Sequence, residues 1–370
     1  MQALDRSKIL RWLREEDEQA LELLYAQADE VRRNNVGDAV HLRGLIEISS
    51  HCVRHCLYCG LRFSHRMERY RMSREEILKC ANNAATLGFG TIVMQSGEDY
   101  GIHAEWMSDL IREIKATLPL AITLSLGERD PHELEMWKQA GADRYLMRFE
   151  TSDPALYAAI HPPLTNHSSD RIAQLRTLRE MGYEIGSGIM VGIPGQSFDI
   201  LARDIETFAE LDLDMIGIGP FLPHPATPLG SDKPLFSIED QVPGSEQMVL
   251  KAVALTRIVC PQANLPSTTA LATMNPVNGR EHGLQSGANV FMPNLTPSPY
   301  RRMYEIYPDK ACVDEDAQQC DTCLRGRIRR LGRVPGAGPG GRGAEPVYFK
   351  KQNPDAKFLT QGKEKLVVLA

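Results

Sequence analysis

The chain contains the sequence Cys52-Val53-Arg54-His55-Cys56-Leu57-Tyr58-Cys59, in which three cysteines are spaced C-x3-C-x2-C. The apolar residues 45–49 just before it predict a short buried strand, so the cysteines should lie in the loop beyond its carboxyl end. Thiolates are soft ligands that select zinc or iron–sulfur centres. A closed zinc site needs a fourth ligand, which His51 or His55 would have to supply. Three cysteines with no second pair nearby favour a [4Fe-4S] cluster with one iron left open.

This spacing, with Tyr58 directly before the third cysteine, is similar to the signature of the radical S-adenosylmethionine (SAM) superfamily. The resemblance implies that the open iron binds SAM. It also implies that one electron from the cluster cleaves SAM to methionine and a 5′-deoxyadenosyl radical. Cys52, Cys56 and Cys59 would then be both the metal ligands and the catalytic centre.

Size and composition exclude several classes of protein. The length of 370 residues and mass of 41.3 kDa fit one α/β barrel. A net charge of −6 offers no electrostatic footprint for nucleic acid. Neither a membrane-spanning apolar run nor a secretory signal core is present, so we expect no membrane partner. Eight cysteines, six of them in two clusters, indicate metal rather than disulfides and predict a cytoplasmic protein.

Strand and helix patterns alternate along most of the chain. Strands are predicted at residues 45–49, 91–95, 121–125, 144–149, 184–191, 215–219, 265–269 and 288–292, with helices between them. Eight βα units predict an α/β fold, a complete (βα)8 TIM barrel. We divide the chain into an N-terminal helical cap (1–40, with a helix at 4–33), the barrel with a second cysteine cluster (41–332), and a linker and tail (333–370). The glycines and prolines of 335–341 predict a flexible linker, and the apolar end at 366–369 is consistent with a strand or a disordered extension.

Polar residues follow the predicted strands, where barrels of this kind have their active sites. By period-two alternation Arg148 and Glu150 share one face of the fourth strand. Glu150 could accept the amine or ribose hydroxyls of SAM while Arg148 holds an anion, or the two could form a structural pair. Arg171, at the start of a helix, could reach the SAM carboxylate or be an ordinary solvated residue. The turn at 192–195 could approach a flat ring or be a plain loop.

Several longer segments together resemble the HydE family of [FeFe]-hydrogenase maturation enzymes, over residues 45–332. The matching segments are CVRHCLYCGLR, QSGED, TLSLGE, AGADRYLMRFET, MVGIPGQ, DMIGIGPFLPHP, ALTRI, GANVFMPN and TPSPYR. The resemblance implies that SAM contacts Gln95, Ser125, Glu150, Arg171, Met190 and Met215. It places the substrate against Arg148, Thr268, Thr269, Tyr300 and Arg301. Ser96 and Thr123, near the ends of the second and third predicted strands, are further candidate substrate-binding residues.

A second cysteine cluster, Cys312, Cys320 and Cys323, has the spacing C-x7-C-x2-C. Three thiolates again favour an iron–sulfur cluster, and a zinc site with an outside ligand is the alternative. The resemblance implies an auxiliary [2Fe-2S] or [4Fe-4S] cluster, far from SAM, with a structural or vestigial role. Cys80 and Cys260 fall in or beside helices and are interpreted as buried small apolar residues.

The leading hypothesis from the resemblance is a radical SAM maturase for the di-iron subsite of the [FeFe]-hydrogenase H-cluster. Its substrate would be a small organometallic or amino-acid-derived molecule, for which the family implies a cysteine-bound Fe(CO)2(CN) unit. Its partners would be a reductant such as flavodoxin or ferredoxin and the other hydrogenase maturases. The alternatives are a methylornithine synthase-like rearrangement of lysine, a biotin-synthase-like sulfur insertion, and a non-enzymatic zinc or iron–sulfur scaffold.

Overall fold

Parallel strands form the centre of the fold. The structure is a computed structural model that describes residues 4–164, 169–231, 239–314 and 317–342. The strands are β1 (Ala39–Ser49), β2 (Thr91–Ser96), β3 (Ala121–Ser125), β4 (Arg144–Leu146), β5 (Glu184–Val191), β6 (Met215–Pro220), β7 (Val290–Phe291) and β8 (Val334–Pro335). They are ordered β6-β5-β4-β3-β2-β1-β7, with every pair parallel, and β8 pairs with β1. This order places consecutive βα units side by side around one core, as right-handed crossovers require.

Helices surround the strands. They are α1 (Arg6–Arg14), α2 (Glu18–Val36), α3 (Arg74–Thr86), α4 (Ala104–Thr117), α5 (Pro131–Ala140), α6 (Pro154–Ile160), α7 (Arg171–Glu180), α8 (Phe198–Glu210), α9 (Glu246–Val259), α10 (Thr269–Met274), α11 (Gly279–Gln285), α12 (Ser298–Met303) and α13 (Ala317–Arg330). The local sequence determines where several of these helices begin. Ser73 and Glu76 form a reciprocal capping box at α3, and Asp130 and Glu133 form another at α5. No helix among the described residues has the length and apolar character to cross a bilayer.

The N-terminal region folds as two helices, not the single helix predicted at 4–33. The break falls between Arg14 and Glu18, because the Asp17 side chain accepts the backbone N–H of Ala20 and starts a new helix. Helix α1 buries Ile9, Trp12 and Leu13, and both helices pack on the outer helical layer against α9.

The eight-stranded barrel predicted from the sequence is only partly formed. Seven parallel strands curl around the core, but residues 265–269 do not make a strand. Single parallel bridges join Met215 to Asn264 and Pro266 to Val290 instead. Proline has no N–H to give to a ladder, and α10 already begins at Thr269, so no longer pairing develops. The predicted fourth and eighth strands are likewise shortened, to Arg144–Leu146 and Val290–Phe291.

The glycine- and proline-rich segment 335–341 packs against the amino-terminal ends of the strands and is not a free linker. The Gly336 N–H donates to the carbonyl of Val40 at 2.8 Å. The carbonyls of Pro339 and Gly340 accept hydrogen bonds from the side chains of Arg43, Thr91, Arg144 and Asn264. Close approach of the backbone is possible because these positions lack bulky side chains, and Gly338 and Gly340 adopt positive φ. The predicted apolar end at 366–369 lies outside the described residues.

Candidate active site

A cavity of about 350 Å³ opens at the carboxyl ends of the strands. Strands β1 to β6 all contribute lining residues, and the loops after β1 and β2 form one wall. Most of the residues predicted for the site line this cavity: Cys52, Cys56, Cys59, Gln95, Ser96, Ser125, Arg148, Glu150, Arg171, Met190, Met215, Thr268, Thr269, Cys312 and Cys320. Residues that were predicted for the site and that are distant in the sequence therefore lie around one cavity.

The three cysteines of the first motif are free thiols on one side of the cavity. The loop is fixed by the neighbouring strand end, because the Val53 N–H donates to the Glu98 carbonyl and the Glu98 N–H donates to Cys52 Sγ at 3.4 Å. Burial raises the pKa of all three thiols, to about 12 at Cys59. Buried thiols lose their protons when a metal cation compensates the charge, so the donor set fits a thiolate-ligated centre.

The three thiols fit a [4Fe-4S] cluster, in which each thiolate binds a different iron and one iron has no protein ligand. A closed zinc site would need a fourth ligand. His55, one candidate for a fourth zinc ligand, is exposed and packs edge-on against Phe63.

Beside the cysteines lies a buried network of two arginines and two glutamates that the sequence did not single out as a unit. Arg54 contacts Glu98 at 2.5 Å and Glu128 at 2.9 Å, and both arginine and carboxylates are almost fully buried. Arg171 contacts Glu128 at 3.0 Å and donates to the Arg148 carbonyl at 2.7 Å. Arg171 is thus an inward-facing residue of the site, not a solvated helix residue.

The same network sets the charge of Glu128. Burial alone would raise its pKa, but a hydrogen bond with His161 and the charge of Arg171 hold the pKa of Glu128 well below its usual range. Ser169 also donates to this carboxylate at 2.6 Å. Glu98 and Glu128 each follow a strand end in the sequence, which is the signal that could have identified them.

Arg148 and Glu150 face the cavity and also pair with each other. Arg148 Nε lies 3.0 Å from Glu150 Oε1. Strand β4 has ended before them, and Glu150 adopts a left-handed φ of 62°, so strand alternation does not explain their common direction. The structural pair that the sequence left open is formed, and it is formed inside the cavity where either group can also meet a ligand. Phe149 between them points away and packs on Phe208.

A buried carboxylate outside the cavity is hydrogen-bonded to the loops that follow Glu150 and strand β5. Asp204, fully buried, accepts hydrogen bonds from the Ser152 N–H and from Gln196 Nε2. Gln196 in turn donates to the Met190 carbonyl. Burial raises the pKa of Asp204 to about 6.

The far side of the cavity contains charged residues that the sequence analysis did not predict. Lys310 and Glu47 form a buried ion pair at 2.8 Å. Arg280 is buried, donates to Cys312 Sγ at 3.3 Å, and has one guanidinium nitrogen, Nη1, without a hydrogen-bond partner. Arg280 lies in α11 and Lys310 in the loop after α12, and each contacts a partner that is distant in the sequence. Cys312 and Cys320 also reach this wall, whereas an auxiliary cluster was expected far from SAM.

Four predicted residues do not line the cavity. Thr123 is buried one layer lower on β3, beside a small void that Arg43 also lines. Tyr300 donates to Glu76 at 2.8 Å and stacks on Tyr70. Arg301 is turned towards the backbone of Thr296 and Cys312. Cys323 is exposed on α13, whereas Cys320, about one turn earlier in the same helix, is buried.

Comparisons with known proteins show what the chain is similar to. The profile of the Radical SAM superfamily matches residues 46–220. The [FeFe] hydrogenase maturase subunit HydE of Thermotoga maritima is 49% identical over 322 residues, covering 87% of this chain and 89% of the relative. The 3-methylornithine synthase of Methanosarcina acetivorans is 28% identical over 347 residues, covering 93% and 89%.

Solved structures share the fold. Methylornithine synthase (PylB) superposes with a TM-score of 0.77 at 23% identity, over 90% of this chain and 94% of that one. HydG, a maturase of the [FeFe]-hydrogenase, superposes with a TM-score of 0.75 at 18% identity, over 90% and 73%. At these identities the superpositions establish a common architecture and nothing about substrate.

Proposed function

The chain belongs to the radical SAM superfamily and, within it, to the HydE family, and from this premise we propose that it is a radical SAM maturase. It cleaves SAM reductively and uses the 5′-deoxyadenosyl radical in assembling the di-iron subsite of the [FeFe]-hydrogenase H-cluster. The observation that carries the proposal is the cysteine triplet, with all three thiols on one wall of the cavity at the carboxyl ends of the strands. The 49% identity to a HydE maturase supports the choice of pathway.

Cys52, Cys56 and Cys59 would hold a [4Fe-4S] cluster. When bound, that cluster supplies the electron that cleaves SAM to methionine and the 5′-deoxyadenosyl radical. The chain contributes the surroundings. The backbone N–H of Glu98 stabilises the Cys52 thiolate, and the Arg54–Glu98 pair fixes the loop in which the thiolates sit.

SAM would be bound by side chains that already face the cavity. Glu150 offers a carboxylate for the amine or the ribose hydroxyls, and Arg171 offers a guanidinium for the carboxylate. Gln95, Ser125, Met190 and Met215 complete the surroundings of the nucleoside and methionine. Because Arg171 is held by Glu128, it meets the ligand in a fixed orientation.

The substrate would lie beyond SAM, against Ser96, Arg148, Thr268 and Thr269. These residues suit a small polar or anionic organometallic molecule, such as the cysteine-bound Fe(CO)2(CN) unit that the family implies. A primary radical reacts with almost any C–H bond, so the residues must fix geometry and exclude water. We infer further that residues 264–266, which bridge to both β6 and β7, stand in for the missing strand and complete the barrel around this cavity.

The remaining proposals concern partners and the second cluster. We propose a cytoplasmic protein that takes electrons from flavodoxin or ferredoxin and acts with the other hydrogenase maturases. We also propose an auxiliary [2Fe-2S] or [4Fe-4S] cluster at Cys312, Cys320 and Cys323, with a structural or vestigial role.

A methylornithine synthase-like mutase is the second candidate, favoured by the 28% identity to such an enzyme. Both candidates are tested by anaerobic reconstitution with iron and sulfide, followed by dithionite and SAM. We expect 5′-deoxyadenosine and methionine from the wild type and none from Cys56→Ser. Cys80→Ala is the matched control, since Cys80 is buried in α3, outside the cavity.

The outcomes separate the candidates. No deoxyadenosine from a protein with an intact cluster would refute the radical SAM proposal. Methylornithine formed from supplied lysine would favour the mutase. Restored hydrogenase activity in an assay that contains the other maturases would support the maturase.

A further inference from the structure

His161 lies against the cysteine loop, and neither the sequence motif nor the proposed mechanism uses it. Its Nδ1 is 3.0 Å from Cys56 Sγ, and its side chain is fully buried. The other ring nitrogen, Nε2, lies 3.4 Å from Arg171 Nη2 and 3.5 Å from Glu128 Oε1. The imidazole therefore stands between a cluster ligand and the buried ion network.

The local sequence fixes this position. Helix α6 ends at Ile160, and His161 leaves the helix because the following Pro162 disfavours helical backbone at the residue before it. The Ile160 carbonyl accepts the N–H of Leu57, the residue after Cys56. The ring is also stacked on Tyr157 with 5.0 Å between centroids. Two separate contacts thus hold the end of α6 to the cysteine loop.

The direction of the hydrogen bond follows from the chemistry of the sulfur. A metal-bound thiolate has no proton and can only accept, so Nδ1 must carry the hydrogen. Nε2 is then free to accept from Arg171 in the neutral ring or to donate to Glu128 in the charged one. Once the cluster is bound, the Nδ1–H donates to Cys56 Sγ in either of these two states, so the argument does not depend on the charge of the ring.

We propose that His161 is a positioning residue that tunes the cluster: its Nδ1–H stabilises the reduced state through Cys56 and so raises the reduction potential. Reduction adds negative charge that is shared with the thiolates, and a fixed N–H donor stabilises the more negative state more strongly. This inference rests on the proposed function only in requiring that the cysteines bind the cluster. It also means that His161 connects the buried network of Arg171 and Glu128 to the cluster ligand Cys56.

The test is a redox titration of the reconstituted protein without SAM, followed by electron paramagnetic resonance. At one fixed ambient potential, we expect His161→Leu to lower the ratio of reduced to oxidised cluster about tenfold, since a hydrogen bond to a charged group is worth that order. A tenfold change is about 59 mV for one electron. His161→Asn, whose amide nitrogen can replace Nδ1, should recover most of the ratio. Tyr157→Phe is the matched control; it loses the bond to Ser169 but keeps the ring stacked on His161, and it should leave the ratio unchanged.

The proposal would be overturned if His161→Leu had the same ratio of reduced to oxidised cluster as the wild type. It would also be overturned if Tyr157→Phe changed that ratio as much as His161→Leu does. If His161→Leu fails to fold or to hold a cluster, the wild type itself provides the test. Its reduced cluster should couple to a proton that disappears from the proton double-resonance spectrum in D2O, and the absence of such a proton would also overturn it. A shifted potential without deoxyadenosine formation would refute the proposed function alone. Deoxyadenosine formation without a shift would refute this inference alone.

Discussion

Replacing Arg171 with methionine removes one of the two cations from the network beside the cysteine loop. In the wild type, Arg54 and Arg171 face Glu98 and Glu128, and the contacts lie between 2.5 and 3.7 Å. In Arg171→Met, two buried carboxylates share Arg54 alone. Methionine fills much of the volume, so the change is mainly one of charge.

The expected loss of folding stability is large for a single substitution. An ion pair at about 4 Å is worth roughly 4 kcal/mol at the effective dielectric of a partly buried site. Removing one partner of a buried pair typically costs about 3–5 kcal/mol, because the other charge stays desolvated. We therefore expect the free energy of unfolding to fall by about 3–5 kcal/mol near neutral pH.

The loss should depend on pH in a defined direction. The folded state of the wild type depresses the pKa of Glu128, so this group stabilises the fold above its unfolded pKa and loses that effect as the pH falls. Without Arg171 the depression is smaller, and the variant loses less in acid. The difference in unfolding free energy between wild type and variant should thus stay constant from neutral pH down to about 4.5, the ordinary pKa of a glutamate, and should become smaller only as the pH falls further, towards about 3.

Urea unfolding of the metal-free proteins, followed by circular dichroism, measures both effects. Arg176→Met is the matched control, since Arg176 lies on the same helix but is exposed, and it should change stability by less than about 0.5 kcal/mol. A loss in Arg171→Met of under about 1 kcal/mol, as for an exposed ion pair, would refute the reasoning. So would a loss that grows as the pH falls.

Three further changes test other parts of the structure. Lys310→Met leaves Glu47 unpaired at the cavity wall and should cost about 3–5 kcal/mol by urea unfolding, whereas a cost under 1 kcal/mol would mean that the pair is hydrated. Gly90→Ala puts a methyl group 1.8 Å from the Gly338 carbonyl; we expect a loss of about 1–3 kcal/mol and faster proteolysis within 336–342, and unchanged proteolysis would contradict the packing. Asp204 has its pKa raised to about 6, so stability should fall by up to about 3 kcal/mol as the pH rises from about 4 to 6. Asp204→Asn should lack that slope, and an equal slope in both proteins would assign it to another group.

The site residues that belong to short sequence motifs could be predicted from the sequence. The cysteine spacing and the longer matching segments led to the family, which is confirmed. Cys52, Glu150 and Arg171, which the same resemblance assigned to the site, line one cavity. Thr123 was predicted to contact the substrate, but it lies two residues before Ser125 on β3, and this places it one layer below the cavity.

What sequence reasoning missed depends on contacts between distant segments. His161 meets Cys56 across 105 positions, and Lys310 meets Glu47 across 263. No periodicity within a segment encodes such pairs. The composition of 335–341 predicted a linker because glycine and proline disfavour regular structure, yet the same residues allow a bare backbone to approach Arg43 and Arg144. The composition of the segment correctly indicates that it forms no long helix or strand by itself. It does not predict that side chains from other strands bind its backbone.

The packing of residues 334–342 beneath the strands has a consequence for biosynthesis. Strand β1 pairs with β8, the last strand of the described chain, so one of its neighbours emerges from the ribosome after nearly three hundred further residues have been translated. Until then the side chains of Arg43, Thr91 and Arg144 have no Pro339 or Gly340 carbonyl to bind. The contacts at the amino-terminal ends of the strands therefore form only after nearly all of the described chain, including the cavity residues up to Cys320, has been synthesised.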